Sequence, residues 1–211
     1  PQTHVATWPV APPLGSKGAS GAMAGAEGSG SVDGRCQRFV AWILAQEVEV
    51  VVWDMDQTMS EGHCGDGLLK EEVDGYIAKA SADFVEAALA LHQTQGLRQA
   101  VATGSDPAEY DLPEHSRETH LCGPDLARAL LQASCPEVLP SFEIMIGFDG
   151  RLHGNRPEDR GKRHHMRLIA EHYGVPFGRM LLIDDAPSNL TNEDGWRGIL
   201  VSEAAGFRFE D

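Results

Sequence analysis

Two carboxylates one residue apart, Asp54 and Asp56, stand at the end of the run Glu47–Thr58 (EVEVVVWDMDQT). A second acidic pair, Asp184 and Asp185, ends the run LLIDD. Burying a charge at the tip of a core strand is costly unless a cation or a hydrogen-bond network satisfies it. Taken alone, 54–58 also reads as an Asp-rich turn after a strand, because Asp is a common turn former. Asp54, Asp56 and Thr58 share the alternation of a calcium-binding EF-hand loop, but that loop is excluded. Met59 stands where it needs Gly, Gly65 where it needs Glu, and a strand-like run leads in.

Two further groups extend the set. Thr103, Gly104 and Ser105 follow the apolar run Leu97–Ala102, and Lys162 sits just ahead of an amphipathic segment. Together these residue types can carry phosphoryl transfer through a phospho-aspartate. One carboxylate attacks, and a hard cation held by carboxylate oxygens neutralises the phosphate. A hydroxyl, backbone amides and an ammonium hold its equatorial oxygens. A second carboxylate protonates the leaving oxygen and later deprotonates water.

Such groups converge only if the elements behind them share one sheet. Val48, Val50, Val51 and Val52 with Trp53 form a β-branched and aromatic run suited to a strand buried on both faces. Leu97–Ala102, Phe142–Ile146, Met180–Ile183 and Gly198–Val201 supply four more strands. Between them the apolar spacing predicts helices at Cys36–Gln46, Asp74–Gln95, Asp125–Leu131 and His164–Tyr173. Pro124 suits the first turn of the third helix, and Gly96 and Gly174 close the second and fourth. Strands alternating with helices imply an α/β sandwich with a mostly parallel sheet of five strands. In such a sheet, ligands bind beyond the carboxyl ends of the strands where strand order reverses. The segment EGHCGDG is expected to be a loop or small hairpin over the end of the first strand, and 106–123 to be irregular.

The chain has 211 residues, enough for one well-cored domain. Residues 1–34 are Pro-rich, then Gly/Ala/Ser-rich, and are read as a flexible low-complexity tail, with the domain at 35–211. A formal net charge of −15 and a pI near 4.9 argue against nucleic acid or an anionic membrane as partner. Cys36, Cys64, Cys122 and Cys135 make no CxxC pair and read as ordinary thiols, as in a reducing compartment. His63 and Cys64 lack a second pair at zinc-ligand spacing.

VVVWDMDQT, VATGS, the Lys162 of RGKRHHM, and LLIDD resemble, in order, the four signature motifs of the haloacid dehalogenase-like superfamily. The resemblance spans roughly Val48 to Val201 and is most similar to its magnesium-dependent phosphatase branch. It implies a Rossmann-like three-layer sandwich and a Mg²⁺-dependent phosphatase. Asp54 would be the nucleophile and a metal ligand. Asp56 would be the general acid/base, its backbone carbonyl facing the metal. Thr103, Gly104 and Lys162 would bind the phosphoryl group, and Asp184 and Asp185 would complete the metal site. An acid at Asp56 separates this pattern from the dehalogenases and transport ATPases of the superfamily.

No room exists between Thr58 and the helix near Tyr76 for an inserted helical cap, so a minimal cap is expected. The substrate would then be a phosphorylated small molecule or a phosphoprotein. The alternatives are a phosphotransferase or phosphomutase, disfavoured because it must exclude water, and a non-catalytic binding module that keeps the site. Arg156 and Arg160 are candidates for steering an anionic substrate. Trp53 and Trp196 are expected in the core, His164 and His165 at the surface or satisfied in the core. Asn189 is expected either to bond the acids of the metal site or to cap a helix.

Overall fold

A computed structural model describes residues 34–65, 67–105, 116–148, 161–190, 195–201 and 206–209. The five expected strands form one sheet in which every pairing is parallel. They are β1 (Val50–Trp53), β3 (Arg98–Thr103), β5 (Phe142–Gly147), β6 (Met180–Asp184) and β7 (Arg197–Leu200), in the order β5-β3-β1-β6-β7. The chain builds outward from β1 through β3 to β5, then returns to the other side of β1 with β6. That reversal places the switch point of the sheet between β1 and β6.

All four residues of β1 are buried because both faces of the sheet are covered. Val51 and Trp53 face a core shared with helices α1 (Gly34–Ala45), α3 (Ala82–Gln93) and α4 (Gly123–Ser134). Val50 and Val52 face a second core with Met166 and Ile169 of α5 (Arg163–Tyr173) and Leu190 of the short α6 (Pro187–Leu190). The result is the expected three-layer α/β sandwich. Trp53 and Trp196 are both buried. Trp53 keeps its indole N–H satisfied by donating to Gln99 Oε1 at 3.1 Å. Gly174, at φ 65°, ends α5 in the left-handed conformation that its lack of a Cβ permits.

Two expectations are corrected. The single helix expected over Asp74–Gln95 is two, α2 (Val73–Ile77) and α3. Ser81 caps α3 by accepting the Phe84 N–H, and its hydroxyl donates to Phe207 O at 2.6 Å. That capping chemistry outweighs the apolar periodicity running through it. The described residues of EGHCGDG form a loop, one of the two forms expected there, and just after it β2 (Leu68–Leu69) pairs antiparallel with β4 (His120–Leu121) in a two-stranded ribbon. Part of the segment read as irregular is therefore a strand. Beyond the expected elements, Gly206–Phe209 joins the core: the Phe207 ring lies 5.3 Å from both Phe39 and Trp53.

The tail expected at 1–34 lies, but for Gly34, outside the described residues, as do Arg156, Arg160 and most of residues 106–123. Gly34 itself opens α1. No helix among the described residues is long and apolar enough to cross a membrane. The four cysteines are buried, and none forms a disulfide.

Candidate active site

The register of the sheet brings the two acidic pairs together. Trp53 pairs with Ile183, and the Asp54 amide donates to Ile183 O at 2.9 Å. Asp54 and Asp184 therefore follow side by side at the carboxyl ends of β1 and β6, across the switch point. One carboxylate oxygen from each of Asp54, Asp184 and Asp185 lies within 4.8 Å of the others. Among the described residues this is the one such cluster of metal-capable side chains.

Lys162 supplies the counter-charge. It precedes α5, is 4 % exposed, and points its ammonium into the cluster. Nζ donates to Asp54 Oδ1 and to Ala102 O, each at 2.5 Å, and stands 3.7 Å from Asp184 Oδ2. One ammonium among three carboxylates leaves net negative charge in a dry place. The Asp54 carboxyl is pushed up to about 7, the net of burial, which raises it most, Lys162, which lowers it, and Asp184, which raises it. Burial alone would lower the Lys162 ammonium, but Asp54 and Asp184 outweigh it and hold it above its ordinary value. Asp185 is also raised, by burial and then by Asp184.

Asp184 has no solvent exposure, yet both its oxygens are held. Asn189 Nδ2 reaches Oδ1 at 2.9 Å and Oδ2 at 3.0 Å, and the Ala186 amide donates to Oδ1 at 2.9 Å. Of the two roles expected for Asn189, the bond to the acids is the one observed. Three convergent carboxylates whose charge a single ammonium does not balance are a donor set of hard oxygens. That chemistry fits a hard divalent cation.

Thr103 and Gly104 flank this cluster by register. Trp53 pairs with Val101, so Asp54 follows opposite Ala102, and Thr103 and Gly104 come next along the neighbouring strand. Thr103 is buried, and its Oγ1 accepts the Ser105 amide at 3.1 Å. His165, buried, bonds the Thr103 carbonyl through Nε2 at 2.9 Å. It is thus a core histidine whose Nε2 ties α5 to this strand end. A Cβ built on Gly104 meets only open space.

Asp56 is set apart from the metal-capable cluster. Gln57, at φ 55°, takes a left-handed turn that costs a non-glycine residue about 1–2 kcal/mol. The Asp56 carboxylate faces the segment 63–76. Tyr76 Oη donates to Oδ1 at 2.6 Å, and the Cys64 amide donates to Oδ2 at 3.0 Å. The Cys64 thiol lies 3.2 Å and His63 Nδ1 2.9 Å from that same Oδ2. His63 and Cys64 thus gather around the Asp56 carboxylate. Thr58 Oγ1 is fully buried with no hydrogen-bond partner among the described residues.

Tyr76 went unread as a site residue. Its apolar surroundings mark it only as one position of a helix, and its bond to Asp56 depends on the break that lets α2 fold back toward β1. His165 likewise shows nothing in sequence of its bond to Thr103.

No family model matches the chain, and no curated protein matches it. Among solved structures the chain is similar to one described as a HAD superfamily (subfamily III A) hydrolase from Legionella pneumophila, with a TM-score of 0.29 and 14% identity. The match covers 69% of this chain and 64% of that one, so the chain spans less than two thirds of its length.

Proposed function

We propose that this protein is a haloacid dehalogenase-like, Mg²⁺-dependent phosphomonoester hydrolase that works through an aspartyl-phosphate on Asp54. The observation that carries this reading is the meeting of Asp54, Asp184 and Asp185 around the Lys162 ammonium at the switch point of the sheet. Asp54, Asp184 and Asp185 would hold the cation through carboxylate oxygens, with the Asp56 backbone carbonyl as a further ligand. When bound, Mg²⁺ supplies positive charge against the acids and the phosphoryl oxygens.

In the first step an Asp54 oxygen attacks phosphorus, the bond to the leaving oxygen breaks, and Asp56 gives that oxygen a proton. In the second, Asp56 takes a proton from water as the water oxygen attacks phosphorus. The bond to Asp54 then breaks, releasing inorganic phosphate and restoring the carboxylate. Lys162, the Thr103 hydroxyl and the Gly104 amide bind the phosphoryl oxygens. The substrate is a phosphorylated small molecule or a phosphoprotein; the net charge of −15 weighs against nucleic acid and anionic membranes.

Hydrolysis of an aryl phosphate is expected to require Mg²⁺, to stop in excess chelator, and to be supported poorly by Ca²⁺, which prefers more ligands and longer bonds. Full activity in chelator would overturn the metal assignment. Asn189→Ala should weaken Mg²⁺ binding by about 10-fold, because the Asp184 carboxylate loses the partner that orients it. Calorimetric titration of Mg²⁺ into the variant checks this. An unchanged affinity would reduce Asn189 to a local cap.

A further inference from the structure

We propose that Tyr76, with the Cys64 amide, is a positioning residue that fixes the Asp56 carboxylate for its proton transfers. The proposal deepens the reading above, since it rests on Asp56 as the general acid/base.

A carboxylate that must first give a proton to a leaving oxygen and then take one from water has to keep its orientation through both steps. Asp56 is gripped at both oxygens: Tyr76 Oη holds Oδ1 at 2.6 Å, and the Cys64 amide holds Oδ2 at 3.0 Å. Two-point attachment blocks rotation of the carboxylate plane, which a single bond would not. The short bond from Tyr76 is of the strong, charge-assisted kind.

Tyr76 is itself held firmly. It is 5 % exposed, and its carbonyl accepts the Ser60 hydroxyl at 3.3 Å. Ser60 Oγ also accepts the Gly62 amide at 3.0 Å, tying the loop to the helix beneath it. The ring lies flush against Gly62, where a Cβ would fall 2.8 Å from Tyr76 Cδ2 and 3.0 Å from Cε2. Gly62 is therefore the space into which the ring fits. A phenol keeps its proton well above neutral pH, so Tyr76 can donate to Asp56 under working conditions. His63 approaches the same acid from outside, its side chain 69 % exposed, and adds little rigidity.

The test uses two substrates, an aryl phosphate with a good leaving group and an alkyl phosphate with a poor one. Tyr76→Phe keeps the packing and removes only the bond to Asp56. For the alkyl phosphate, whose leaving oxygen needs the proton, kcat/KM should fall about 10–30-fold. For the aryl phosphate, kcat/KM should change by no more than about threefold, because its leaving group needs little acid. Its kcat should fall more than its kcat/KM, because the later attack by water still needs the base. Gly62→Ala, which displaces the ring and keeps the hydroxyl, should reproduce the same split.

Equal losses on both substrates, or none, in a Tyr76→Phe protein that melts as the wild type does would overturn the positioning role. If instead the wild type hydrolyses neither substrate with Mg²⁺, or Asp54→Asn hydrolyses both as well as the wild type, the phosphatase reading fails and takes this role with it. Activity that depends on Asp54 but falls uniformly in both variants removes the positioning role alone.

Discussion

Lys162→Met is expected to lose about 10²–10³-fold in kcat/KM and to melt well below the wild type in metal-free buffer. The methionine keeps most of the volume and removes the charge. In the wild type, Nζ reaches Asp54 Oδ1 and Ala102 O and lies 3.7 Å from Asp184 Oδ2. Removing one partner from a buried charge cluster is worse than never having built it, at about 3–5 kcal/mol. Asp54 can relieve part of that cost by taking up a proton.

The sign with pH follows. The Asp54 carboxyl is already raised to about 7, and loss of the ammonium raises it further. A carboxyl whose folded pKa lies above its unfolded value of 3.8 binds more protons folded than unfolded. Stability is therefore fullest below the unfolded pKa and falls as pH rises toward the folded one. The deficit of Lys162→Met should grow over that window, and Mg²⁺ should recover part of it by replacing the lost charge. Thermal melts at several pH values, with and without Mg²⁺, check both. An unchanged metal-free melting temperature would mean that the acids do not depend on this lysine.

The second large effect separates the acids of the first motif. Asp54→Asn removes the attacking oxygen, so both half-reactions should stop. Asp56→Asn keeps the nucleophile and loses the proton donor and base, a contribution typically worth about 10²–10⁴-fold. With an aryl phosphate the first step tolerates that loss, while the attack by water does not. A stopped-flow trace of Asp56→Asn should show a burst of aryl oxide followed by slow turnover. Wild-type turnover by Asp56→Asn, or a burst from Asp54→Asn, would reverse or remove the assignment.

Much of the sheet was legible because its strands are unbroken apolar runs such as Val50–Trp53 and Met180–Ile183, buried on both faces. Asp54, Lys162, Asp184 and Asp185 were legible for a related reason. The three acids directly follow or end those runs, where a buried charge is costly, and Lys162 stands just ahead of the helix α5. The expected meeting of Asp54 with Asp184 then follows from parallel register alone.

What escaped the sequence reading lies where side chains reach across long separations. The break between α2 and α3 turns on Ser81, which bonds Phe207, 126 residues away. The β2–β4 ribbon rests on two short pairings, Leu68 with Leu121 and Leu69 with His120, too short for any periodicity to announce. Phe207 and Phe209 follow the last strand closely and belong to no expected element. In the structure they pack with Phe39, and the Phe207 amide donates to Thr58 O at 2.8 Å. That contact pins the turn that carries Asp56. Tyr76 belongs to the same class: a helical aromatic whose hydroxyl acquires meaning only once α2 lies beside Asp56.

The central claim is that Asp54 carries the phosphoryl group. Its most direct test is acid quench of the Asp56→Asn enzyme a few milliseconds after mixing with Mg²⁺ and radiolabelled aryl phosphate, followed by reductive cleavage with borohydride and peptide mapping. The account predicts close to one label per chain before quench is delayed, with the borohydride-reduced residue at position 54 and none in Asp54→Asn. Label on another residue, or equal label in Asp54→Asn, would contradict it.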